Sequence, residues 1–174
     1  MKSLINAVGF QAGWWACIIG VGHGLEIPAL LFGLSLVIAH LFFCTQPLNE
    51  ARLALAAVVV GVVVDSSLQW AGVITFWGWS LGACSPFWLW LLWGLFALTL
   101  PHSLSFLKNL PYWLHALLGA VLGPLTYYAG AQLGAAQWAG RPVDGLALAV
   151  AWALALPLLV QLARQMTWNG SKPS

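Results

Sequence analysis

The chain of 174 residues is 61% hydrophobic and only 6% charged, with a mean hydropathy of +0.89. Soluble domains carry about 25% charged residues, so this composition excludes an ordinary soluble protein and indicates a membrane protein. The net charge of +2, spread over scattered basic residues, argues against a nucleic-acid partner. Cys17, Cys44 and Cys84 form no CxxC motif, so we predict neither a disulfide framework nor a zinc site.

Six apolar stretches are long enough to cross a hydrocarbon core about 30 Å thick, which takes roughly 20 residues each. We predict an all-α fold in which residues 1–166 form a single domain of six transmembrane helices and residues 167–174 form a disordered tail. Polar residues interrupt the first stretch, so we interpret it as a retained helix and not as a signal peptide. The six stretches cover residues 4–22, 27–45, 53–71, 86–107, 112–135 and 146–165.

The basic residues predict a topology, because lysine and arginine accumulate on the cytoplasmic side of a membrane. The connectors are short, so neighbouring helices run antiparallel and the basic residues can be assigned to two sides. The opposite side carries only Arg141, whereas the side of the N-terminus carries five. Both termini are therefore predicted to be cytoplasmic. The five residues on that side are Lys2, Arg52, Lys108, Arg164 and Lys172.

The fifth stretch contains a stripe of small residues between positions 116 and 134. On a 3.6-residue helix this stripe is roughly 80° wide. In a bilayer such a face lets another backbone approach closely, and Pro124 on a different flank should bend the helix. We therefore predict that this helix is the central strut of the bundle. The stripe consists of Ala116, Gly119, Gly123, Thr126, Gly130 and Gly134.

Asp65 is the most informative residue of the third stretch, because a charged group inside a membrane span is costly and commonly functional. Counting about 1.5 Å per residue, Asp65 lies slightly to the outer side of the midplane, at nearly the level of Thr126 and Tyr127. We predict that these three residues line an outer cavity. A protonated Asp65 that only bonds helices together is the structural alternative.

A second polar layer is predicted on the cytoplasmic side of the midplane. It contains Asn6, His40, His102 and Ser103, with Gln11 between the two layers. Pro101 should bend the fourth helix just before His102. Because His102 lies roughly 9 Å to the cytoplasmic side of the midplane and Asp65 lies on the outer side, the two should not touch, and the histidines with Asp65 do not form a metal site. The alternative for each histidine is a purely structural role as a hydrogen-bonded residue of the helix packing.

The connector of residues 72–85 carries no charge and places Trp77 and Trp79 between glycines. Indole rings favour the headgroup level, so simple anchoring is the first interpretation of this segment. The alternative is a lid over a cavity, since non-helical backbone at membrane depth has to be covered by protein or line water. Glu26 lies in the preceding outer connector, where we expect it to be solvated.

Four elements of the sequence resemble a family of small bacterial inner-membrane proteins that carry a domain of unknown function. The likeness covers nearly the whole chain and implies a bacterial inner-membrane location, a compact helical bundle and a tilt toward lipophilic ligands. Two positions depart from the family pattern, with Pro101 in place of Asn and Gln132 in place of Arg. The elements are Asn6, Phe10, Gln11 and Trp14; Asp65, Leu68 and Gly72; His102, Ser103 and Leu104; and Gly123 to Ala135.

Our leading functional hypothesis is that the protein binds a lipophilic or amphipathic small molecule. In an extended form of this hypothesis it also translocates that molecule across the membrane. We expect no cofactor. The alternative is an intramembrane enzyme acting on a lipid or isoprenoid, with His102, Ser103 and Asp65 as catalytic candidates. The third hypothesis is a scaffold without ligand. Membrane lipids, a second copy of the chain and another membrane protein are the partners left open. The predicted ligand-binding residues are Asn6, Gln11, Asp65, Thr126 and Tyr127.

Overall fold

The computed structural model describes residues 2–138 and 140–168, which form six α-helices and two short strands. Four helical segments, covering residues 3–22, 26–43, 47–70 and 142–168, are long and apolar enough to cross a membrane. The helical class predicted from the sequence is therefore confirmed. The helices are α1 (Lys2–Gly22), α2 (Glu26–Phe43), α3 (Pro47–Trp70), α4 (Phe87–Ala97), α5 (Tyr112–Gln132) and α6 (Pro142–Ala163).

The two strands are an addition to the predicted all-α fold. Strand β1 (Ile74–Phe76) lies in the connector between α3 and α4, and β2 (Ala136–Trp138) lies between α5 and α6. They pair antiparallel, with Thr75 opposite Gln137. Backbone groups of the connectors have no helical hydrogen-bond partners, and the strand pair supplies partners for some of them. The two connectors are thus joined into one cap at this end of the bundle.

The predicted fourth span differs most from the structure. Residues 86–107 do not form one helix: α4 ends at Ala97, turns follow, and a 3₁₀ segment covers Ser105–Asn109. Pro101 explains the break, because its ring clashes with the carbonyl four residues earlier and it has no N–H to donate. An 11-residue helix is only about 16 Å long, so the rest of this segment is non-α backbone. Leu98, Thr99 and Leu100 are buried by protein.

Helices that are neighbours in sequence pack as pairs: α1 with α2, α3 with α4 and α5 with α6. The small-residue face of α5 receives α6, since a Cβ on Gly119 would lie 2.2 Å from the carbonyl oxygen of Trp152. Gly134, which we placed on the helical stripe, lies beyond α5 in a turn with φ +84°. The stripe is therefore a helix-packing surface within the chain over its first half.

The C-terminal end of the described chain is a π-helical segment, Arg164–Trp168, that continues α6. Thr167 is buried and its hydroxyl donates to the carbonyl of Ala163 at 2.8 Å. The tail predicted for residues 167–174 therefore starts inside a structured turn, and its remainder, 169–174, lies outside the described residues. Arg164 donates to the carbonyl of Lys108 at 2.8 Å, which fixes two of the basic segments at one end.

Candidate functional site

Asp65 is fully buried between α3, α4 and α5. Its Oδ2 accepts a hydrogen bond from Nε1 of Trp93 at 2.8 Å, and its Oδ1 accepts one from the hydroxyl of Tyr127. The structure thus brings Asp65 and Tyr127 into direct contact, and the similar depths predicted for them on the third and fifth helices, which run in the same direction, are consistent with it. Both carboxylate oxygens have a donor, and this is how a buried carboxyl group is accommodated in an apolar interior.

Two stacked indoles form the centre of the bundle beside Asp65. The rings of Trp93 and Trp152 lie 4.8 Å apart at 13°. A Cβ on Gly61 would come within 2.2 Å of the Trp93 ring, and one on Gly123 within 2.3 Å of the Trp152 ring. Glycines on α3 and α5 therefore make room for the indoles, which fix the position of the Trp93 donor that Asp65 uses.

An aromatic cavity of about 390 Å³ lies between α1, α4, α5 and α6. Its wall is almost entirely apolar, and Tyr127 supplies one of its few polar groups. Phe106, Leu122 and Thr126 lie on its wall and are exposed, so the cavity opens to the surface beside them. The volume falls within the roughly 300–1,000 Å³ usual for small-molecule sites. Other residues of the wall include Phe10, Trp14, Trp88, Trp93, Phe96 and Trp152.

The cap formed by the two joined connectors closes one end of the aromatic cavity, where Phe76 and Ala136 belong to the cavity wall. The cap is held by backbone contacts that the sequence did not reveal. Glu26 is buried, not solvated as we expected, and both its oxygens accept the backbone N–H of Trp79 at 2.9 Å. The indole of Trp88 donates to the carbonyl of Trp77 at 2.7 Å. The Trp-rich connector is therefore a fixed cover over the cavity as well as a band of indoles.

Two of the predicted ligand-binding residues, Asp65 and Gln11, occupy positions that differ from the expectation, whereas Thr126 lies on the wall of the aromatic cavity. Asp65 does not reach the aromatic cavity, because the rings of Trp93 and Tyr127 stand between. Thr126 is at the open side, and its hydroxyl donates to the carbonyl of Leu122 in its own helix. Gln11 lies on an exposed face of α1. Among the described residues, no hydrogen bond connects Gln11 to either polar layer.

The second polar layer is built around a residue that we had assigned to a connector, Glu50. Its side chain is only 3% exposed, and its Oε2 accepts from Nε2 of His40 at 2.6 Å and from Nε2 of His102 at 2.8 Å. The two imidazole rings meet edge to face with centroids 5.0 Å apart. We call His40, Glu50 and His102 the Glu50 cluster. It joins α2, α3 and the turn after α4 through one carboxylate.

Asn6 connects α1 to the break in the fourth segment. Its Nδ2 donates to the carbonyl of Leu98 at 3.1 Å, and its Oδ1 accepts the hydroxyl of Ser103 at 2.7 Å. Nδ2 also lies 3.4 Å from Nδ1 of His40. The amide therefore satisfies backbone that the broken helix leaves free and orients one ring of the Glu50 cluster. Ser103 is bonded to Asn6 and not to His102.

A second cavity of about 640 Å³ adjoins the Glu50 cluster. Asn6, His40, His102 and Cys44 are on its wall, and Phe10 belongs to the walls of both cavities. The ligand atoms of His40, Cys44 and Glu50 all lie within 4.8 Å of one another. The wall of this cavity thus combines apolar side chains with imidazole and thiol groups, which the aromatic cavity lacks, and both imidazoles are hydrogen-bonded to the Glu50 carboxylate.

Sequence reasoning missed Glu50 and Trp93, and in each case a signal existed. Glu50 stands in the first turn of α3, and His40 stands in the last turn of α2. Two antiparallel helices joined by a short turn place such positions opposite each other, but our third span began at residue 53 and left Glu50 out. Trp93 is one of 12 tryptophans, and its depth was the only cue that its N–H needs an acceptor.

Comparison with known proteins gives a family and no activity. The model of a family described as Protein of unknown function (DUF2878) matches residues 3–158. The chain belongs to the DUF2878 family. No curated protein and no solved structure matches it. The matched range includes every residue of both cavities described above, so the DUF2878 match and the two polar layers cover the same part of the molecule.

Proposed function

We propose that this protein binds a lipophilic or amphipathic small molecule in the aromatic cavity. The observation that carries the proposal is the cavity itself: about 390 Å³, lined by aromatic and aliphatic side chains, with Thr126 and Tyr127 among the few polar residues on its wall. A few placed polar groups in an apolar pocket are the usual composition of a small-molecule site. Asp65 orients Tyr127 and Trp93 from behind and is a positioning residue.

The open side of the cavity supports an apolar ligand that arrives through the lipid. Phe106 and Leu122 are exposed there at 55% and 54%, on a surface formed by apolar side chains. A ligand with a hydrocarbon chain would pass from lipid to protein without entering water, so little desolvation of polar groups opposes binding. The fixed cover over the other end accounts for a cavity that is reached from the side.

The proposed setting is a bacterial inner membrane crossed six times, with both termini in the cytoplasm. The charge distribution supports this orientation, since Arg141 is separated from the end that carries Lys108 and Arg164. The fifth crossing is α5 and the fourth combines α4 with the 3₁₀ segment. In this orientation the cap lies on the outer side, the aromatic cavity opens to the lipid beside Leu122 near the midplane and beside Phe106 on its cytoplasmic side, and the Glu50 cluster lies toward the cytoplasm.

The test uses the whole protein in mild detergent with 9,10-dibromostearate as the probe. Bromine quenches nearby indoles, and four tryptophans, at positions 14, 88, 93 and 152, line the cavity. We expect saturable quenching in the wild type and a loss of most of it in Leu122→Trp, which fills the opening. Leu125→Trp is the matched control, because Leu125 is also on α5 and 57% exposed but is not on the cavity wall.

Native mass spectrometry with lipid identification of the retained molecule completes this test. Retention of one defined molecule by the wild type and Leu125→Trp, with loss from Leu122→Trp, is the expected result. Equal quenching in all three proteins, or retention of bulk phospholipid only, would overturn the proposal. It would favour the scaffold hypothesis, in which the bundle serves assembly alone.

The second candidate function, an intramembrane enzyme acting on a lipid or isoprenoid, is favoured by one observation. His102 is hydrogen-bonded to the buried Glu50 at 2.8 Å beside the second cavity. A carboxylate that orients an imidazole is a recurrent arrangement in acid–base catalysis. Ser103 does not serve as a nucleophile activated by His102 in this geometry, since its hydroxyl is bonded to Asn6.

This candidate is tested by incubating the purified protein with a bacterial lipid extract and following its composition by mass spectrometry. We expect a mass change in one lipid class with the wild type that is absent with His102→Gln, while His23→Gln, which alters an exposed histidine at the other end of α1, behaves as the wild type. An unchanged lipid profile with the wild type would remove the enzyme from consideration.

A further inference from the structure

We propose that the Glu50 cluster binds a divalent first-row transition metal ion through His40, Glu50 and His102, with Cys44 in reach as a fourth ligand. Two imidazoles and one carboxylate from three different elements of the fold converge on one point beside a cavity. The site is separate from the aromatic cavity, and the proposal does not depend on the binding of a lipophilic molecule there.

The distances within the cluster are close to those of a metal site. The two imidazole nitrogens lie 2.6 Å and 2.8 Å from the same Glu50 oxygen. Zinc ligands of these types stand about 2.0–2.2 Å from the metal, so in tetrahedral geometry they are about 3.4 Å from each other. The donor atoms must therefore separate by about 0.6–0.8 Å to admit an ion, which side-chain rotation can supply. The Oε1 atom of Glu50 offers a second oxygen for this adjustment.

Cys44 follows His40 by one helical turn, at the end of α2. Its sulfur lies within 4.8 Å of the ligand atoms of His40 and Glu50, and the side chains of Cys44 and His40 are half-buried whereas that of Glu50 is buried. The thiol now donates only weakly, to the carbonyl of Leu41 at 3.5 Å. It can therefore leave that partner for a metal at little cost, and it would have to be deprotonated to do so.

The position beside the cluster matches an open coordination site. His40, His102 and Cys44 belong to the wall of the 640 Å³ cavity, so an ion held there would face the chamber. While Cys44 stays unbound, His40, Glu50 and His102 leave one position open, as three protein ligands do in a catalytic zinc site, and two histidines with one carboxylate also suit ferrous iron. This donor set excludes magnesium and calcium, which prefer oxygen ligands.

Asn6 supplies the outer contact that a ligating histidine requires. In the present arrangement its amide donates toward Nδ1 of His40 over 3.4 Å, and the ring donates from Nε2 to Glu50. Coordination through Nε2 moves the ring proton to Nδ1. The Asn6 amide then has to rotate so that its oxygen, and no longer its nitrogen, faces Nδ1 of His40 and accepts the ring N–H, as the outer-shell partners of metal-bound histidines do.

The experiment uses the full chain with a tag that contains no histidine, stripped with a chelator and then equilibrated with Co²⁺ alone. We expect about one Co²⁺ per chain by elemental analysis, displaced by Zn²⁺. Binding should weaken at least about tenfold in Glu50→Gln and in His102→Gln, because each loses a ligand. His23→Gln is the matched control, since His23 is exposed at the opposite end of α1 and should leave binding unchanged.

A measurement on the wild type keeps the test valid if the Glu50 variants fail to fold. In the Cu²⁺-loaded protein, pulsed electron paramagnetic resonance should detect two imidazole nitrogens. Cys44→Ser should abolish any sulfur-to-cobalt charge-transfer band while retaining the metal. A wild type that binds no Co²⁺ above the level of a folded Glu50→Gln protein, or a copper spectrum without imidazole coupling, would overturn the proposal.

Discussion

The indole of Trp93 lies on the indole of Trp152, with ring centroids 4.8 Å apart and planes 13° from parallel. Each ring also has a glycine against it, Gly61 of α3 against Trp93 and Gly123 of α5 against Trp152. The stack joins the α3–α4 pair to the α5–α6 pair, and Trp93 also donates a hydrogen bond to the buried Asp65 of α3. Small residues that let large side chains or backbones approach are a general feature of helix contacts in membranes.

Because the indole stack is closely packed, we predict that adding one methyl group beside it lowers the free energy of unfolding. Gly61→Ala places a Cβ within 2.2 Å of the Trp93 ring, so the indole or α3 must shift. We expect a loss of about 1–3 kcal/mol, the usual cost of overpacking. Thermal unfolding in detergent measures it. Gly9→Ala is the control, because a Cβ there meets nothing within 4 Å, and equal stability of the two variants would contradict the interpretation.

The Asp65 pair of hydrogen bonds predicts different outcomes for two substitutions. Asp65→Ala leaves the Trp93 N–H and the Tyr127 hydroxyl without their acceptor, so we expect a loss of about 2 kcal/mol or more. Asp65→Asn retains one acceptor, so its free energy of unfolding should lie within about 1 kcal/mol of the wild-type value. Chemical denaturation monitored by tryptophan fluorescence compares them.

The same Asp65→Asn protein separates two roles of this carboxyl group. A proton-linked carrier should lose transport while remaining folded, whereas a purely structural Asp65 should tolerate the amide. The dibromostearate quenching described above provides the readout for binding. If Asp65→Asn and Tyr127→Phe both leave the binding of dibromostearate and the retention of the native ligand unchanged, neither side chain takes part in ligand recognition.

The outer cap predicts a local effect of Glu26. Glu26→Ala removes the acceptor of the Trp79 backbone N–H, so the connector of residues 72–86 should exchange its amide hydrogens faster. Glu26→Gln is the matched control, since its carbonyl oxygen still accepts from Trp79. Hydrogen–deuterium exchange mass spectrometry of that peptide measures the difference. An unchanged exchange rate in Glu26→Ala would show that the strand pair alone holds the cap.

The native cysteines test the proposed orientation. Cys84 lies in the outer connector and Cys44 at the opposite end, after α2, and both are partly exposed. In intact cells a membrane-impermeant maleimide should label Cys84 and spare Cys44, while permeabilised cells should show both. Cys84→Ser and Cys44→Ser variants assign each signal. Labelling of Cys44 alone in intact cells would reverse the topology.

The polar residues show how far depth counting extends. It placed Asp65 and Tyr127 at one level and kept His102 away from Asp65, and both relations are present in the structure. It failed for Gln11, because depth along a helix carries no information about rotation around it. Gln11 has a suitable depth, yet it lies on the exposed face of α1.

The fourth segment shows the corresponding limit for helix boundaries. Pro101 signalled a disturbance, and hydropathy alone indicated an uninterrupted span over residues 86–107. Only the structure shows that α4 stops at Ala97 and that Asn6 satisfies the freed backbone from another helix. Whether a proline bends or ends a helix depends on which neighbours can take the released hydrogen-bonding groups.

The sequence by itself determined the class of this protein, because composition, apolar segment length and the asymmetry of basic residues are one-dimensional properties that a bilayer selects directly. Tertiary structure alone decided which polar groups meet. Glu50 joins His40 and His102, and Trp93 joins Asp65, through the rotation and register of helices that pack on one another. Those contacts depend on side-chain shape at many positions at once, such as the glycines that admit the Trp93 and Trp152 rings, and no single segment encodes them.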